Sequence, residues 1–146
     1  MNCVFCAIAA GELPAELLYE DEHCLVLMDI YPLRPGHVLV VSREHYPYLH
    51  LAPEAVREAM FALSQQVMQA QRKLGWGQQG INWLLNDGPA ANQHVPHCHM
   101  HQIAREPGDT LALLWRTVVR FVPVGRAKVM ADVRLRAAQL REALNG

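Results

Sequence analysis

Two stretches of this chain have apolar residues at helical spacing. The first set comprises Val56, Met60, Leu63 and Val67, and the second comprises Met130, Val133, Ala137, Leu140 and Leu144. Steps of three and four residues place such positions on one face of a helix, so they predict one long helix and one C-terminal helix. Pro53 suits the first turn of the long helix, and Leu74-Gly75 marks its end.

Shorter apolar runs bounded by turn residues predict strands. These runs are 16–20, 23–28, 38–42, 81–85 and 95–104, with a short helical turn over 4–10 before them. Several strands with one long helix inserted and short connections predict an α+β fold on an antiparallel sheet. We expect a single domain over 1–146, with its core at about 3–105 and a C-terminal extension with its helix at about 106–146.

The composition of the chain excludes several classes of protein. The chain has 146 residues, of which 51% are hydrophobic and 18% charged, as in a globular domain. A net charge of −1 provides no basic surface for nucleic acid, so we expect no nucleic-acid partner. Because no apolar run approaches the roughly 20 residues of a membrane helix and no signal peptide is evident, we expect a cytoplasmic protein without a membrane partner.

Histidines are concentrated in the last predicted strand. Four of the eight histidines lie between residues 94 and 101, and His97, His99 and His101 alternate with Cys98 and Met100. Successive side chains of a strand point to opposite faces, so the three alternating histidines are predicted to share one face. Imidazole can act as a nucleophile, an acid or base, or a metal ligand near neutral pH. The row therefore predicts a functional site.

Two kinds of chemistry fit three histidines on one strand face. They can ligate a catalytic zinc ion and leave one position open for water, as in a metal-dependent phosphohydrolase. Alternatively, His99 can attack an electrophile while its neighbours hold it neutral and stabilise charge. The flanking segments 86–88 (Asn-Asp-Gly) and 92–94 (Asn-Gln-His) favour the second mechanism, because turns with amides and free backbone N–H groups suit phosphate oxygens and ribose hydroxyls.

The residues around this row resemble a known family signature. Residues 92–103 (Asn-Gln-His-Val-Pro-His-Cys-His-Met-His-Gln-Ile) resemble that of the histidine triad (HIT) superfamily of nucleotide hydrolases and transferases. Residues 3–6 (Cys-Val-Phe-Cys) are similar to the family's N-terminal opening, and 29–37 to its central loop. Asn86 precedes His99 by thirteen residues, which is the family's spacing. The resemblance covers 3–105 and implies a HIT-like fold of the bacterial type.

This resemblance implies a nucleotidyl transfer in two steps. His99 would attack the α-phosphorus of a purine nucleotide, and water would hydrolyse the nucleotidyl-histidine to release a nucleoside monophosphate. The implied substrate is a dinucleoside polyphosphate, such as diadenosine tetraphosphate, or a nucleoside phosphoramidate. His101 would bind phosphate oxygens and assist proton transfer, although a structural role as a hydrogen-bonding partner stays open. An alternative of another class is a nucleotide-binding regulatory module with little turnover.

The resemblance also assigns the remaining site residues. Asp29 and Ile30 would hold the ribose and base, while Asn86, Gln93 and His94 would orient His99 or contact phosphate. A homodimer is implied as well, formed through the long helix and the strand at 81–85. No organic cofactor is expected.

The Cys3-x-x-Cys6 pair predicts a second site. In HIT proteins that open with such a pair, the other ligands correspond to His45 and His97, so the resemblance implies a structural zinc ion on four ligands. The alternative is two free thiols near the terminus. His37 then has no metal role and is expected to brace the loop beneath the active site.

Two positions depart from the family pattern. Asn92 replaces a usual glycine, and His94 replaces a usual serine or threonine. Asparagine tolerates the left-handed conformation that such a glycine often signals, so we expect the turn to be retained.

Overall fold

The computed structural model describes residues 2–146, so residue 1 of the predicted domain lies outside the described residues. The strands are β1 (Leu17–Glu20), β2 (Cys24–Met28), β3 (Val38–Ser42), β4 (Ile81–Leu85) and β5 (His99–Ala104). They form one antiparallel sheet in the order β1-β2-β3-β5-β4. The α+β prediction is therefore confirmed.

Helices cover the sheet on both faces. They are α1 (Val4–Ala9), α2 (Glu54–Lys73), α3 (Thr110–Val119) and α4 (Arg126–Asn145). Helices α2 and α4 are the two that the periodicity predicts, and α3 was not predicted. Apart from one arginine and two threonines, α3 is apolar and none of its residues is buried, so the positions of its apolar residues do not mark a face that packs on the core.

The two faces of the sheet bury different sets of side chains. One face packs against α2 and α4 through a cluster that includes Val26, Val40, Met60, Val67 and Ala137. Burying a side chain such as Met60, which is 0% exposed, contributes roughly 2 kcal/mol to folding. The opposite face carries Leu25, Leu27, Leu39 and Val41, which pack with Cys3 and Phe5 of the N-terminal segment.

Strand register places two of the three alternating histidines on this second face. His99 lies opposite Val41 and His101 opposite Leu39 in the β3–β5 pair. Both imidazoles therefore lie on the side of the sheet that α1 covers, away from α2. This placement follows from the period of two along a strand.

His97 lies on this same side of the sheet, in agreement with the predicted alternation, although it precedes the strand itself. The predicted strand began at residue 95, whereas β5 begins at His99. The backbone N–H of His97 donates to the carbonyl of Val95 over 2.8 Å, which forms a local turn, and Pro96 has no N–H to offer a strand partner. The alternation nevertheless continues through this segment: the ring centroid of His97 is 5.5 Å from that of Phe5, which also contacts His99, whereas Cys98 packs in the cluster on the opposite face.

Within residues 2–146, none of the helices combines the length and the apolar character that crossing a bilayer requires.

Candidate active site

A cavity of about 420 Å³ opens on the α1 face of the sheet, between the N-terminal segment, the loop after β2 and the residues that follow α3. Its lining includes the polar and aromatic side chains that determine its chemistry, namely Phe5, Asp29, His99, His101, Arg120 and Phe121. Most of the remaining wall is aliphatic, with contributions from α1 and from Leu27 and Leu39 of the sheet. An apolar cavity with a few convergent polar groups is typical of a small-molecule site.

His99 is held in one tautomer by the backbone. Its Nδ1 lies 2.6 Å from the carbonyl oxygen of His97, so Nδ1 bears the proton and donates it. Nε2 therefore retains its lone pair. Burial lowers the pKa of His99, which is only 6% exposed, and keeps the imidazole neutral. A neutral imidazole with a free Nε2 is the form that can act as a nucleophile.

His37 fixes the tautomer of His101 in the same way. The backbone N–H of Leu33 donates to His37 Nδ1 over 3.1 Å, so the His37 proton is on Nε2. His37 Nε2 lies 3.0 Å from His101 Nδ1, which accepts the bond and leaves the His101 proton on Nε2. The contact with Leu33 agrees with the expected bracing role of His37.

Both imidazoles of this pair are neutral across a wide pH range. Burial lowers the pKa of His37 to about 4, and burial together with the neighbouring His37 and His99 lowers the pKa of His101 to about 3. His101 can therefore offer an N–H donor from Nε2 without bearing a charge near neutral pH.

Asp29 supplies the one carboxylate of the cavity lining. Its Oδ1 accepts the N–H of Tyr31 over 2.8 Å, and its Oδ2 accepts a hydrogen bond from Arg120 Nη2 over 2.7 Å. Burial alone would raise the pKa of Asp29, but the nearby His37 and Arg120 outweigh this effect and lower it. The carboxylate is therefore ionised and accepts hydrogen bonds.

The turn before β5 contributes His94 and Asn92 to the cavity. His94 lies edge-on to Phe121, with ring centroids 5.9 Å apart. Asn92 adopts the left-handed conformation, with φ 63° and ψ 34°, so the expectation that asparagine retains the turn is confirmed. Gln93 instead braces the turn: it accepts the N–H of Gly88 over 2.9 Å and donates to the carbonyl of Pro47 over 2.8 Å.

The structure brings together most of the predicted nucleotide and catalytic residues. Those that line the cavity are Asp29, Ile30, His94, His99 and His101. Asn86 directly follows β4, and neither it nor Gln93 is part of the described lining.

Sequence reasoning missed three residues of the cavity. Phe5 lies between the two cysteines of the opening motif, and its ring centroid is 5.0 Å from that of His99. Arg120 and Phe121 come from the C-terminal extension, and Arg120 is 91 residues from its partner Asp29. Such a separation leaves no local signal, so only the path of the chain after α3 shows that these residues reach the cavity.

A candidate metal centre lies beside the cavity. The donor atoms of Cys3, Cys6, His45 and His97 all lie within 4.8 Å of one another. His97 Nδ1 is 3.3 Å from Cys3 Sγ and 3.6 Å from Cys6 Sγ, and His45 Nδ1 is 3.4 Å from Cys6 Sγ. Sulfur and nitrogen ligands of one tetrahedral zinc ion are about 3.6 Å apart, so the four donors fit that ion.

The orientation of His97 supports this fit. Its Nε2 lies 2.7 Å from the carbonyl oxygen of Ser42, so Nε2 bears the proton and Nδ1 is free to bind a metal. A second ring nitrogen that donates to a carbonyl is the usual arrangement around a metal-binding histidine. The structure therefore brings together all four predicted ligands.

Comparison with known proteins defines the class to which this fold and site belong. The family model for the HIT domain matches residues 10–108, more than half of the chain. The chain therefore belongs to the histidine triad (HIT) family, within the superfamily of nucleotide hydrolases and transferases. The predicted resemblance is confirmed.

Several individual proteins are similar to this chain. "Adenylylsulfatase HINT3" of Arabidopsis thaliana is 41% identical over 75% of this chain, although the match spans only 55% of the plant protein. "Protein hit" of Bacillus subtilis (strain 168) is 36% identical over 80% of this chain and 80% of its own length. The crystal structure of a Zn-bound histidine triad family protein from Mycobacterium smegmatis is 38% identical, with a TM-score of 0.74 and 98% of both chains covered.

Proposed function

We propose that this protein hydrolyses a purine nucleotide through a nucleotidyl-histidine on His99. The observation that carries this proposal is the hydrogen bond from His99 Nδ1 to the carbonyl of His97, at 2.6 Å, which leaves Nε2 unprotonated. In the first step a bond forms between Nε2 and the α-phosphorus, and the bond to the leaving group breaks. In the second step water attacks the phosphorus, the P–N bond breaks, and a nucleoside monophosphate leaves.

The other cavity residues support this two-step mechanism. His101 would donate from Nε2 to a phosphate oxygen, where negative charge develops in both steps. Asp29 would accept hydrogen bonds from the ribose, and Ile30 would contact the base. His94 would contact the phosphate or leaving group. Asn86 and Gln93 would act through the turns that bound the site, since Gln93 holds Gly88 and Pro47 in place.

The proposed substrate has an adenylyl group and a leaving group joined through the α-phosphorus. A dinucleoside polyphosphate or a nucleoside phosphoramidate fits this description. The similarity to a plant adenylylsulfatase adds adenylyl sulfate as a third candidate. All three share the adenylyl α-phosphorus that His99 would attack and differ in the bond that breaks, which is P–O in the polyphosphate and in adenylyl sulfate and P–N in the phosphoramidate, so the leaving group is the variable to be tested.

We propose that Cys3, Cys6, His45 and His97 hold a structural zinc ion. The convergence of their donors and the similarity to a Zn-bound protein from Mycobacterium smegmatis support this assignment. A bound ion would supply a cross-link between the N-terminal segment, the segment after β3 and the turn before β5. No organic cofactor is proposed.

We also propose a homodimer. Strand β4 is an edge of the sheet, Trp83 and Leu84 on it are 37% and 45% exposed, and the Trp83 ring packs against Phe61 of α2, which is 59% exposed. An edge strand with exposed apolar side chains is suited to pairing with another chain. Light scattering of the purified protein would test this, and a monomer at micromolar concentration would contradict it.

The test of the catalytic proposal is rapid-quench trapping with diadenosine tetraphosphate, an adenosine phosphoramidate and adenylyl sulfate. Intact mass and peptide mapping should find an adenylyl group on His99 that is absent from His99→Ala. The exposed His50 provides a matched control, and His50→Ala should be labelled like wild type. Formation of AMP that persists in His99→Ala would remove His99 as the nucleophile.

Two alternative functions, a zinc-dependent hydrolase and a nucleotide-binding regulatory module, differ from this proposal in the geometry or the turnover they require. A zinc hydrolase would need His97, His99 and His101 to converge on one point, whereas His97 lies with two cysteines and His101 lies with Asp29 and His37. A regulatory module would bind AMP tightly and turn over none of the three substrates.

A further inference from the structure

Helix α3 carries its large apolar side chains on the side that faces solvent. Leu111 and Val118 are 80% and 77% exposed, and Leu114 and Trp115 between them are 54% and 65% exposed. Steps of three, one and three residues place these four positions in one stripe along the helix, which we call the α3 surface. Monomeric proteins rarely expose a large contiguous apolar patch, and such a patch usually marks a contact site.

The opposite side of α3 holds the positive charge. Arg116 is the only charged residue of α3, and its Nε donates to the carbonyl of Pro32 over 3.2 Å. Arg120 directly follows the helix, and its Nη2 donates to Asp29 Oδ2 over 2.7 Å. Both cations are therefore turned towards the protein, whereas the large apolar residues are turned away from it. A surface helix normally has the reverse arrangement, which indicates that a further partner covers the α3 surface.

The α3 surface begins beside the strand edge at which the homodimer is proposed to form. Arg105 connects the two elements, because its Nη1 donates to Asn82 Oδ1 of β4 over 2.7 Å and its Nη2 donates to Thr110 Oγ1 of α3 over 3.2 Å. Leu84 of β4 lies opposite His101, on the face of the sheet at which the cavity opens. A second copy that pairs with β4 therefore comes to lie beside α3.

The strand edge alone offers too little apolar area for a stable dimer. A homodimer interface buries about 800 Å² per partner, of which about 65% is apolar. The exposed parts of Phe61, Trp83 and Leu84 amount to roughly 300 Å². The four residues of the α3 surface, each more than half exposed, supply roughly 500 Å² more. The two patches together reach the apolar area that a homodimer needs.

We propose that the α3 surface packs against a second copy of this chain and extends the homodimer interface that begins at β4. The inference rests on the proposed homodimer. A two-fold interface places the same patch of both copies in contact, so like charges within it would repel one another. The α3 surface has no charged residue, which suits such a contact. A helix that binds an anionic membrane surface exposes lysine or arginine beside its apolar face, whereas both arginines here are directed inwards.

The test is the dimer dissociation constant, measured by sedimentation equilibrium for wild type, Val118→Glu on α3 and Trp83→Glu on β4. We expect each substitution to raise this constant at least about a hundredfold, because each places an unpaired carboxylate in an apolar contact. Glutamate favours a helix more than valine does, and Val118 is exposed in the single chain, so Val118→Glu should keep the monomer folded. Circular dichroism would check the fold of both variants.

Leu135 provides a matched control. It is an apolar residue of α4 that is 60% exposed and lies outside the α3 surface, so Leu135→Glu should dimerise like wild type. Hydrogen exchange gives a second readout. The backbone amides of α3 should exchange more slowly above the dissociation constant than below it, whereas those around Leu135 should not change.

The possible outcomes separate the inference from the proposed homodimer. Wild-type dimerisation of Val118→Glu together with dissociation of Trp83→Glu would overturn the inference and leave the homodimer through β4 intact. Loss of binding to phosphatidylglycerol vesicles in that dimeric Val118→Glu would then assign the α3 surface to a membrane. Dissociation of Val118→Glu but not of Trp83→Glu would support the inference and contradict pairing through β4. A monomeric wild type at micromolar concentration would contradict both proposals.

Discussion

Two clusters of histidines lie side by side in this protein and are built for different chemistry. In the cysteine cluster, His45 and His97 face two thiols, and four donor atoms converge on one point. In the carboxylate cluster, His37 and His101 are joined in a chain, and His37 Nε2 lies 3.5 Å from Asp29 Oδ2. Convergence suits a metal ion, whereas a chain fixes tautomers and leaves one N–H for a ligand.

The comparison shows that the ring nitrogen that donates to a backbone carbonyl determines which nitrogen keeps its lone pair, and therefore whether the imidazole is placed to bind a metal ion or to attack a substrate. His97 donates from Nε2 to a carbonyl and leaves Nδ1 for a metal. His99 donates from Nδ1 to a carbonyl and leaves Nε2 for the cavity. The two clusters meet in His97, whose ring belongs to one cluster and whose carbonyl orients the proposed nucleophile beside the other.

The largest expected effect separates the clusters by activity. We expect His99→Ala to lower kcat/KM for an adenosine phosphoramidate at least about a thousandfold, because it removes the proposed nucleophile. Its zinc content, measured by elemental analysis, should equal that of wild type, since the substitution removes only a side chain that lies outside the cysteine cluster. Loss of metal along with activity would show that the clusters are not independent.

The second-largest expected effect distinguishes the cysteine cluster from the carboxylate cluster by its metal binding. We expect Cys6→Ser to reduce zinc from about one equivalent to a small fraction and to lower the free energy of unfolding by several kcal/mol. Activity should fall less than in His99→Ala, because the His97 carbonyl is still present but less firmly held.

Cys24 provides the thiol control for this variant. It is a buried cysteine of β2 that lies outside the metal cluster, so Cys24→Ala should keep full metal content even if it lowers stability. Full zinc content in Cys6→Ser would contradict the assignment of the cysteine cluster.

The third effect is a pH dependence that the carboxylate cluster introduces. His37 has a folded-state pKa of about 4, below the ordinary 6.5, because it is buried. Between these values the unfolded chain binds a proton that the folded protein does not, so stability falls as the pH falls from 6.5 to 4. One such group contributes a slope of about 1.4 kcal/mol per pH unit within that window.

We therefore expect His37→Gln to show a shallower loss of stability than wild type over pH 6.5 to 4 in denaturant titrations. His50→Gln controls for the substitution of a histidine at an exposed position. If wild type and His37→Gln lose stability in parallel, His37 is not held neutral by the fold.

The smallest effect concerns the turn that leads into both clusters. Asn92 has φ 63°, a conformation that costs a β-branched residue roughly 1–2 kcal/mol. Asn92→Val should lower the free energy of unfolding by about that amount, whereas Asn92→Gly should change it by less than about 1 kcal/mol. Chemical denaturation would measure both, and a valine variant as stable as wild type would exclude a left-handed residue here.

Much of the fold could be predicted from local patterns. The spacing of apolar residues predicts α2 and α4 because a helix buries one face at a fixed period. The strands follow from short apolar runs between turn residues. Helix α3 could not be predicted this way, since nearly all its residues are apolar and several, such as Leu111 and Val118, stay exposed.

The candidate sites could be predicted in part, because the alternation of side chains along a strand is also a local pattern. His99 and His101 share a face because they lie in one strand, and their alternation indicated this. The same rule places His97 on that face, and the placement holds although the strand begins two residues later, because the backbone of Cys98 still pairs with Ser42. Alternation alone did not show that the His97 ring lies with two cysteines, since that depends on how the N-terminal segment packs.

The sequence by itself determined the family, the α+β class and the identity of the chemically important side chains. Those properties reside in local spacing and in residue types that only a few functions require. Tertiary structure alone decided that the two clusters lie side by side and that His97 joins them, with its ring in one and its carbonyl orienting His99 beside the other. It also decided that Arg120 from the C-terminal extension meets Asp29 across 91 residues. Contacts between distant segments depend on how the helices pack on the sheet, and no local pattern encodes that packing.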